Sequence, residues 1–189
     1  MFLLTAPSSE QIRQFINRQK DLAFSYAEVG ATRGAAPAGY TLDHNRTKLG
    51  TGSETFERAV AALQHWRQFE LGWVKILPAG TPVTEGETVA VRASYLGLWS
   101  LNACRIVYVL AEERRFGFAY GTLPDHAERG EERFMIEWLE GDDSVWYDIV
   151  AFSQPAHPFV RAGYPLTRRL QKRFARDSMA AMIKEMSNV

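Results

Sequence analysis

The sequence predicts an α+β fold in which a curved antiparallel sheet wraps around a long C-terminal helix. Strand patterns follow one another from Glu87 to Pro155 with only short polar turns between them, and strands joined by tight turns pair antiparallel. Two shorter helices are predicted before this run. A long amphipathic helix follows it, and such a helix buries its apolar stripe most simply by lying across the sheet.

The first 22 residues form a predicted helical segment. Ser8 is placed to cap a helix, and Gln11, three residues later, completes a capping box. Ile12, Phe15 and Ile16 then form a short apolar stripe. The sequence therefore predicts a short amphipathic helix ahead of the sheet.

Residues 23–153 are predicted to form the sheet, with one inserted helix. Ahead of the main run, weaker strand patterns occur at Phe24–Ala31, Arg46–Leu49 and Leu71–Leu77. The inserted helix follows a turn at Gly50-Thr51-Gly52, and Ser53 caps it. Its apolar stripe consists of Phe56, Val60, Leu63 and Trp66.

The main run contains the clearest strands. Thr88–Tyr95 alternates apolar and polar residues, which indicates one covered face, and Leu101–Leu110 is apolar on both faces, as expected deep in a sheet. The strand Phe116–Leu123 has Phe116, Phe118 and Tyr120 on one face and the small residues Gly117, Ala119 and Gly121 on the other, so a helix or ligand is expected to lie close against the small face. The last two predicted strands are Arg133–Glu140 and Ser144–Ser153.

A C-terminal helical region is predicted at residues 156–189, after a stretch punctuated by prolines, with the helix at about Leu166–Met186. One row at four-residue spacing consists of Leu166, Leu170, Phe174, Ser178 and Met182. The opposite face carries five cations, Arg168, Arg169, Lys172, Arg173 and Arg176. Such a face is typical of a solvated surface paired with nearby carboxylates, with anionic lipid or nucleic acid as the alternative partner. A sheet that curls around this helix leaves a cavity between the two, which is the helix-grip arrangement.

The composition is that of an ordinary globular chain, and residues 1–189 are most simply one domain. Lys and Arg together number 22, as do Asp and Glu, so no net field favours nucleic acid as a partner. No apolar run approaches the ~20 residues of a membrane-spanning helix. The single cysteine, Cys104, rules out an internal disulfide and fits a reducing compartment. We therefore expect a soluble, cytoplasmic protein, and no pattern specifies its oligomeric state.

Several segments resemble one known family. They are Tyr26–Thr32, Gly39–Arg46, Ala103–Tyr108, Phe116–Pro124 and Gly130–Phe134. On these segments the chain resembles the DUF1990 family, an uncharacterised family of bacteria and plants, over most of its length. That family in turn resembles the START-like SRPBCC superfamily, which implies a helix-grip fold and a cavity for lipids, hormones or polyketides, with some enzymes among its members. A plant relative resembles a chloroplast outer-envelope channel protein. The resemblance implies a fold and no catalytic residues.

Arg105 is the most unusual polar position of the predicted sheet. By alternation it shares a face with four apolar residues, Leu101, Ala103, Val107 and Val109. An unpaired charge on such a face is strongly unfavourable, so Glu132 and Asp148 are its expected counter-ions in a structural ion pair. In the alternative interpretation, Arg105 points into the cavity and holds a ligand carboxylate or phosphate.

A second polar group surrounds the end of the strand Phe116–Leu123. It consists of Tyr120, Thr122, His126, Glu131 and Glu132. Hydroxyls, an imidazole and carboxylates in one place could transfer protons on a bound ligand, whereas the simpler interpretation is the turn chemistry of a loop. With Arg105, these residues form the predicted ligand-binding site, and no residue is assigned a catalytic role.

The remaining motifs favour structural roles. The Gly50-Thr51-Gly52 turn lacks the lysine of a P-loop, and no cofactor fingerprint is present. Ser153 and His157 lack the elbow motif of a hydrolase, and Cys104 is expected to be a core residue. The histidines have no metal-ligand spacing, so no metal site is expected; they are His44, His65, His126 and His157.

The leading hypothesis is a binding module. A partly apolar cavity between sheet and helix would hold a small hydrophobic or amphipathic molecule, with Arg105 near its polar end. The first alternative is an enzyme on the same scaffold, with cyclase- or hydrolase-like acid/base chemistry at Tyr120, His126 and Glu131. The second is a membrane-associated or channel-related protein without a transmembrane segment, in which the basic helix face would make peripheral membrane contact.

Overall fold

An antiparallel sheet of eight strands organises the part of the chain that the computed structural model describes, residues 1–156 and 163–187. The strands are β1 (Phe2–Leu3), β2 (Thr41–Thr51), β3 (Val74–Leu77), β4 (Thr88–Tyr95), β5 (Leu98–Glu112), β6 (Arg115–Thr122), β7 (Glu128–Trp138) and β8 (Ser144–Pro155). Their order across the sheet is β2-β8-β7-β6-β5-β4-β3, and β1 pairs with the start of β5. Each strand from β3 to β8 pairs with its neighbour in sequence, which confirms the predicted meander.

Helices cover both faces of this sheet. Within the described residues they are α1 (Ser9–Gln19), α2 (Gly52–Gln64) and α3 (Tyr164–Ser187). The predicted capping box opens α1: the Gln11 N–H donates to Ser8 Oγ, and the Ser8 N–H donates to Gln11 Oε1. Short 3-10 turns lie at Ala31–Arg33 and Arg67–Phe69. The predicted class, a curved sheet with two N-terminal helices and a long C-terminal helix, is confirmed.

Three strand predictions need correction. Phe24–Ala31 is a loop that leads into a 3-10 turn, because side-chain hydrogen bonds to Glu131 hold it rather than a strand ladder. Arg46–Leu49 is only part of β2, which pairs along its length with β8. The strand predicted to begin at Arg133 begins at Glu128, where its first residues pair with the end of β8.

The main core lies on the concave face of the sheet. Its buried side chains come from α2 and the turn after it, from strands β3 to β8 and from Met182 of α3. On α3, Ser178 and Met182 of the predicted row are fully buried, and the Ser178 hydroxyl lies 2.9 Å from that of Tyr147. Leu166, at the start of the same row, is 44% exposed. The helix therefore lies across the sheet as predicted, and its N-terminal half is the less covered part.

The convex face is covered by α1 and by the loop of residues 24–34. Ile12 and Phe15 of α1 pack against Leu101 and Ala103 of β5. At Gly121, on the small-residue face of β6, an added Cβ would overlap the Tyr26 hydroxyl. The predicted close approach to that face is thus made by the loop.

Candidate functional site

A cavity of about 490 Å³ lies between the concave face of the sheet and the N-terminal half of α3. This volume falls in the range of small-molecule pockets, roughly 300–1,000 Å³. Its apolar wall includes Phe69, Trp73, Val91, Leu170 and Phe174. Its polar wall includes Asp43, Asn102, Tyr120, His126, Glu128, Glu132, Ser153 and Gln171.

Polar contacts fasten α3 to the sheet at the rim of this cavity. Gln171 Nε2 donates to both carboxylate oxygens of Glu128, at 2.8 and 2.7 Å, and contacts Ser153 Oγ at 3.1 Å. One turn earlier, Arg168 makes a two-pronged ion pair with Asp43 of β2, with Nη2 2.6 Å from Oδ1. Burial raises the pKa of Glu128, and the Gln171 amide opposes that rise. These contacts join α3 to β2, β7 and β8.

Glu132 and Tyr120 form a pair on the inner wall. The register of β6 and β7 sets them directly opposite each other, and the Tyr120 hydroxyl donates to Glu132 Oε2 at 2.7 Å. Burial raises the pKa of Glu132 to about 7, with further upward contributions from Glu128 and Asp43. The Tyr120 hydrogen bond lowers it, because it stabilises the ionised form. A carboxyl group that changes charge near neutral pH therefore faces the cavity.

His126 contributes a neutral imidazole to the same wall. Its Nδ1 lies 2.9 Å from the N–H nitrogen and 3.0 Å from the carbonyl oxygen of Glu128. Burial lowers the pKa of His126 to about 4. The ring is therefore uncharged at neutral pH and adds no positive charge to the cavity.

Thr122 and Glu131 also border the cavity, but their polar atoms are engaged with protein groups. Thr122 Oγ1 accepts from the Gly130 N–H at 3.0 Å and lies 2.6 Å from Ser25 Oγ. Glu131 is buried and accepts hydrogen bonds from Tyr26 and from the loop backbone. The structure thus joins Tyr120 to Glu132, and Glu131 anchors the convex-face loop.

Arg105 does not line the cavity, contrary to the prediction. Its Nη2 donates to the carbonyls of Lys20 and Leu22 beyond the end of α1, the latter at 2.9 Å, and its guanidinium lies over the Phe24 ring. The expected counter-ions have other partners: Asp148 pairs with Arg133 and His44, and Glu132 with Tyr120. The carbonyl groups supply the partners that a half-buried guanidinium requires.

Arg105 was misplaced because the apolar face that it shares with Leu101 and Ala103 is the face covered by α1. The register between β5 and β6 shifts between Ile106 and Tyr108. Before the shift, Leu101 and Ala103 share the convex face with Arg105, whereas Val109, beyond it, packs on the concave core. The extra residue breaks the period of two beyond Ile106, so it moves Val109 to the other face and leaves the face of Arg105 unchanged.

Glu128 and Gln171 are site residues that the sequence prediction missed. Glu128 was assigned to a loop, yet it lies four positions before Glu132 on β7, the spacing of residues on one strand face. Gln171 was assigned to no face, although it follows Leu170 of the apolar row directly. A correct start for β7 would have revealed Glu128.

The other motifs have structural roles. Gly52 begins α2 with φ +85°, and its N–H donates to the Asp143 carbonyl at 3.0 Å, as in a tight turn. Cys104 is fully buried, and burial raises the pKa of its thiol. In residues 1–156 and 163–187, no group of three or more His, Cys, Asp and Glu could hold a metal ion. The pairing of Ser153 with His157 involves a residue outside the described part of the chain, because His157 is not among the described residues.

Carboxylates form ion pairs with cations on the basic face of α3, which is the arrangement predicted for a solvated face. Arg168 pairs with Asp43, and both Arg173 and Arg176 pair with Asp177. Arg173 also lies over the Trp73 ring, 4.4 Å from its centroid. Two carboxylates therefore pair with three of the five cations of this face.

Comparisons with known proteins agree on family and fold. A model of the domain of unknown function DUF1990 matches residues 25–181. A UPF0548 protein of Dictyostelium discoideum is 36% identical, covering 100% of this chain and 97% of that protein. Two solved structures show the same fold at low identity. A hypothetical protein from Helicobacter pylori has a TM-score of 0.56 at 9% identity, covering 86% of this chain and 95% of that one. A START superfamily protein from Mycobacterium smegmatis has a TM-score of 0.52 at 16% identity, covering 79% and 98%.

Proposed function

The chain belongs to the DUF1990 family, which has a START-like fold, and from its cavity we propose that it binds a small amphipathic molecule between the sheet and α3. The observation that carries this proposal is the cavity itself, about 490 Å³ in a region where the sheet and helix would otherwise close on each other. Concave sites of this volume, lined mainly by apolar side chains with a few polar groups, are typical of ligand-binding sites.

The lining supports an amphipathic rather than a purely apolar ligand. Phe69, Val91 and Phe174 offer apolar surface, whereas Glu132 and Tyr120 offer a carboxyl and a hydroxyl. Polar groups placed within an apolar pocket fix the orientation of a ligand. The ligand would therefore lie with its apolar part along the aromatic wall and its polar part at Glu132.

An enzyme on the same scaffold is the second candidate, and Glu132 is the observation that favours it. A carboxyl with a pKa of about 7 beside a tyrosine hydroxyl is suited to move a proton to or from a bound ligand. This assignment replaces the predicted trio of Tyr120, His126 and Glu131. Turnover that disappears in Glu132→Gln while ligand binding remains would support it.

A membrane-associated or channel-related role has less support. Among the described residues, none of the helices combines the length and the apolarity needed to cross a bilayer. Carboxylates pair with three cations of the basic face of α3. We propose a cytoplasmic location, which the single free cysteine supports.

A cavity-blocking variant tests the binding proposal. Ala151 lines the cavity and is the register partner of Glu132 on the neighbouring strand β8. Ala151→Phe therefore fills the space that a ligand would use. The matched control is Ala180→Phe, on the exposed surface of α3. The readouts are fluorescence enhancement of the uncharged dye N-phenyl-1-naphthylamine and native mass spectrometry for a co-purifying molecule.

We expect saturable dye binding at one site in the wild type and in Ala180→Phe, and loss of it in Ala151→Phe with the melting temperature retained. Dye binding that Ala151→Phe leaves unchanged would place the dye outside the cavity. Absence of dye binding and of any co-purifying molecule in the wild type would overturn the proposal.

A further inference from the structure

The charges that line the cavity are unbalanced. Four carboxylates contribute to its wall, those of Asp43, Glu128, Glu131 and Glu132, and Glu131 is bonded to the convex-face loop. Lys172 is the single Lys or Arg among the described lining residues, and it is exposed at the surface of α3. Arg168 is the counter-ion of Asp43, and its charge also lowers the pKa of Glu128, whose hydrogen-bond partner is the neutral amide of Gln171. The inner wall around Glu132 has no cation of its own among the described residues.

Glu132 presents a free oxygen to this space. Its Oε2 accepts the Tyr120 hydroxyl, whereas Oε1 has no hydrogen-bond partner in the described part of the protein. Because Glu132 lines the cavity and is only half-buried, that oxygen is accessible from the cavity rather than sealed in the core. An ionised carboxylate in an apolar setting is costly without a counter-ion.

Aromatic rings surround the same position. The rings of Phe69 and Tyr120 lie 6.1 Å apart, those of Phe69 and Phe174 lie 5.1 Å apart, and all three residues line the cavity. The faces of aromatic rings carry partial negative charge and attract organic cations, quaternary ammonium groups above all. The aromatic wall and the carboxylate therefore favour the same sign of ligand charge.

We propose that the ligand is a cationic amphiphile, an ammonium group on an apolar chain or ring, whose positive charge binds at Glu132 beside Phe69, Tyr120 and Phe174. This inference rests on the proposed binding function and names the class of its ligand. It reverses the expectation drawn from Arg105, which favoured an anionic ligand.

The proposal entails a dependence of affinity on pH. Burial raises the pKa of Glu132 to about 7, so a cation must bind the ionised form and its affinity rises between pH 6 and pH 8. The titratable groups that act on Glu132 or are acted on by it are Tyr120, Tyr147, Cys104, Glu128 and Asp43. Burial raises the pKa of the two tyrosines and the cysteine, so they stay neutral over this interval. Because Glu128 also has a raised pKa, the comparison with Glu132→Gln isolates the contribution of Glu132.

The test uses three amphiphiles with the same decyl chain, kept below their micellar concentrations: decyltrimethylammonium, decyl sulfate and the uncharged decyl maltoside. Binding to the whole protein is measured by calorimetry at pH 6 and pH 8. The variants are Glu132→Gln, which keeps the shape of the side chain, and Glu137→Gln, which removes one charge from the same strand outside the cavity.

We expect the wild type and Glu137→Gln to bind decyltrimethylammonium at pH 8 at least about tenfold more tightly than decyl sulfate, since a charge-assisted contact contributes on this scale. Glu132→Gln should lose about tenfold for the cation, with its pH dependence, and stay within about twofold for the maltoside. Equal affinity for cation and sulfate, or no effect of Glu132→Gln, would overturn this inference and leave the binding proposal standing. Failure of all three amphiphiles to bind would overturn both.

Discussion

At the scale of single residues, Arg105 joins α1 to the sheet. Its guanidinium donates to the carbonyls of Gln19, Lys20 and Leu22, where the end of a helix leaves acceptors without partners. A cation at this position also complements the negative end of the helix dipole. The residue therefore stabilises the packing of α1 on β5 from a position outside the cavity.

We predict that Arg105→Ala lowers the free energy of unfolding by about 1–3 kcal/mol, because several backbone acceptors lose a charged donor. Urea unfolding measures this change. Arg105→Lys keeps the charge without the planar fork of donors, so its free energy of unfolding should lie between those of the wild type and Arg105→Ala. Affinity for N-phenyl-1-naphthylamine should stay within about twofold of the wild type in both variants, as expected for surface changes away from a site. A variant of unchanged stability and lower affinity would return Arg105 to the ligand site.

At this scale the sequence indicated which polar residues meet, but not which face of the sheet each side chain occupies. It selected Tyr120 and Glu132 as site residues, and the strand register does place them as a pair on the cavity wall. It assigned Arg105 to the wrong surroundings because the apolar face that Arg105 shares with Leu101 and Ala103 is covered by α1 and does not line the cavity. Which element covers a strand face depends on the rest of the fold, so alternation within one strand does not reveal it.

At the scale of elements, the loop of residues 24–34 is held by one distant carboxylate. Glu131 accepts the Tyr26 hydroxyl and the Gly30 N–H, both at 2.7 Å, and the Thr32 N–H at 3.0 Å. These contacts give the loop backbone partners that a strand ladder would otherwise supply. The sequence of the loop resembles a strand because its apolar residues alternate, and the deciding residue lies about a hundred positions away.

We predict that Gly121→Ala destabilises this attachment. The new Cβ would overlap the Tyr26 hydroxyl, so Tyr26 must move away from Glu131 and leave a buried carboxylate with one donor fewer. The expected loss is about 2–4 kcal/mol of unfolding free energy, the sum of steric strain and a broken charged hydrogen bond. Hydrogen exchange should also speed up at residues 25–34 more than in the sheet.

Gly141→Ala is the matched control, because a Cβ there meets no atom within 4 Å and the residue lies in a turn. Its stability should stay within about 0.5 kcal/mol of the wild type. Equal effects of the two substitutions would mean that the close contact at Gly121 does not hold the loop.

At the scale of the whole molecule, the cavity results from the way in which α3 packs against the sheet. The C-terminal half of the helix is held by apolar contacts such as Met182, whereas Arg168 and Gln171 hold its N-terminal half at a polar rim. The grip was predictable, because the apolar row of the helix and the meander are local patterns. The volume beneath it was not, because it depends on the summed packing of side chains from the sheet, the region after α2 and α3.

Glu132 links this hollow to the stability of the whole chain. The folded state raises the pKa of Glu132 from 4.5 to about 7, so between these values it binds a proton that the unfolded state has released. The corresponding stabilisation is present below pH 4.5 and is lost as pH rises through about 7. Glu132→Gln has no proton to lose. Relative to the wild type it should therefore be more stable at pH 8 than at pH 4.5, by about 2–3 kcal/mol.

Urea unfolding at the two pH values measures this difference, and Glu140→Gln is its control. Glu140 is 82% exposed, so its substitution removes the same charge without relieving any burial, and its effect should differ between the two pH values by less than about 0.5 kcal/mol. If Glu132→Gln and Glu140→Gln show the same pH dependence of stability, burial does not destabilise the ionised form of Glu132. If Glu132→Gln follows the predicted course, a saturating organic cation should recover much of the lost stability in the wild type at pH 8 and none of it in Glu132→Gln, because binding to the folded state alone stabilises it.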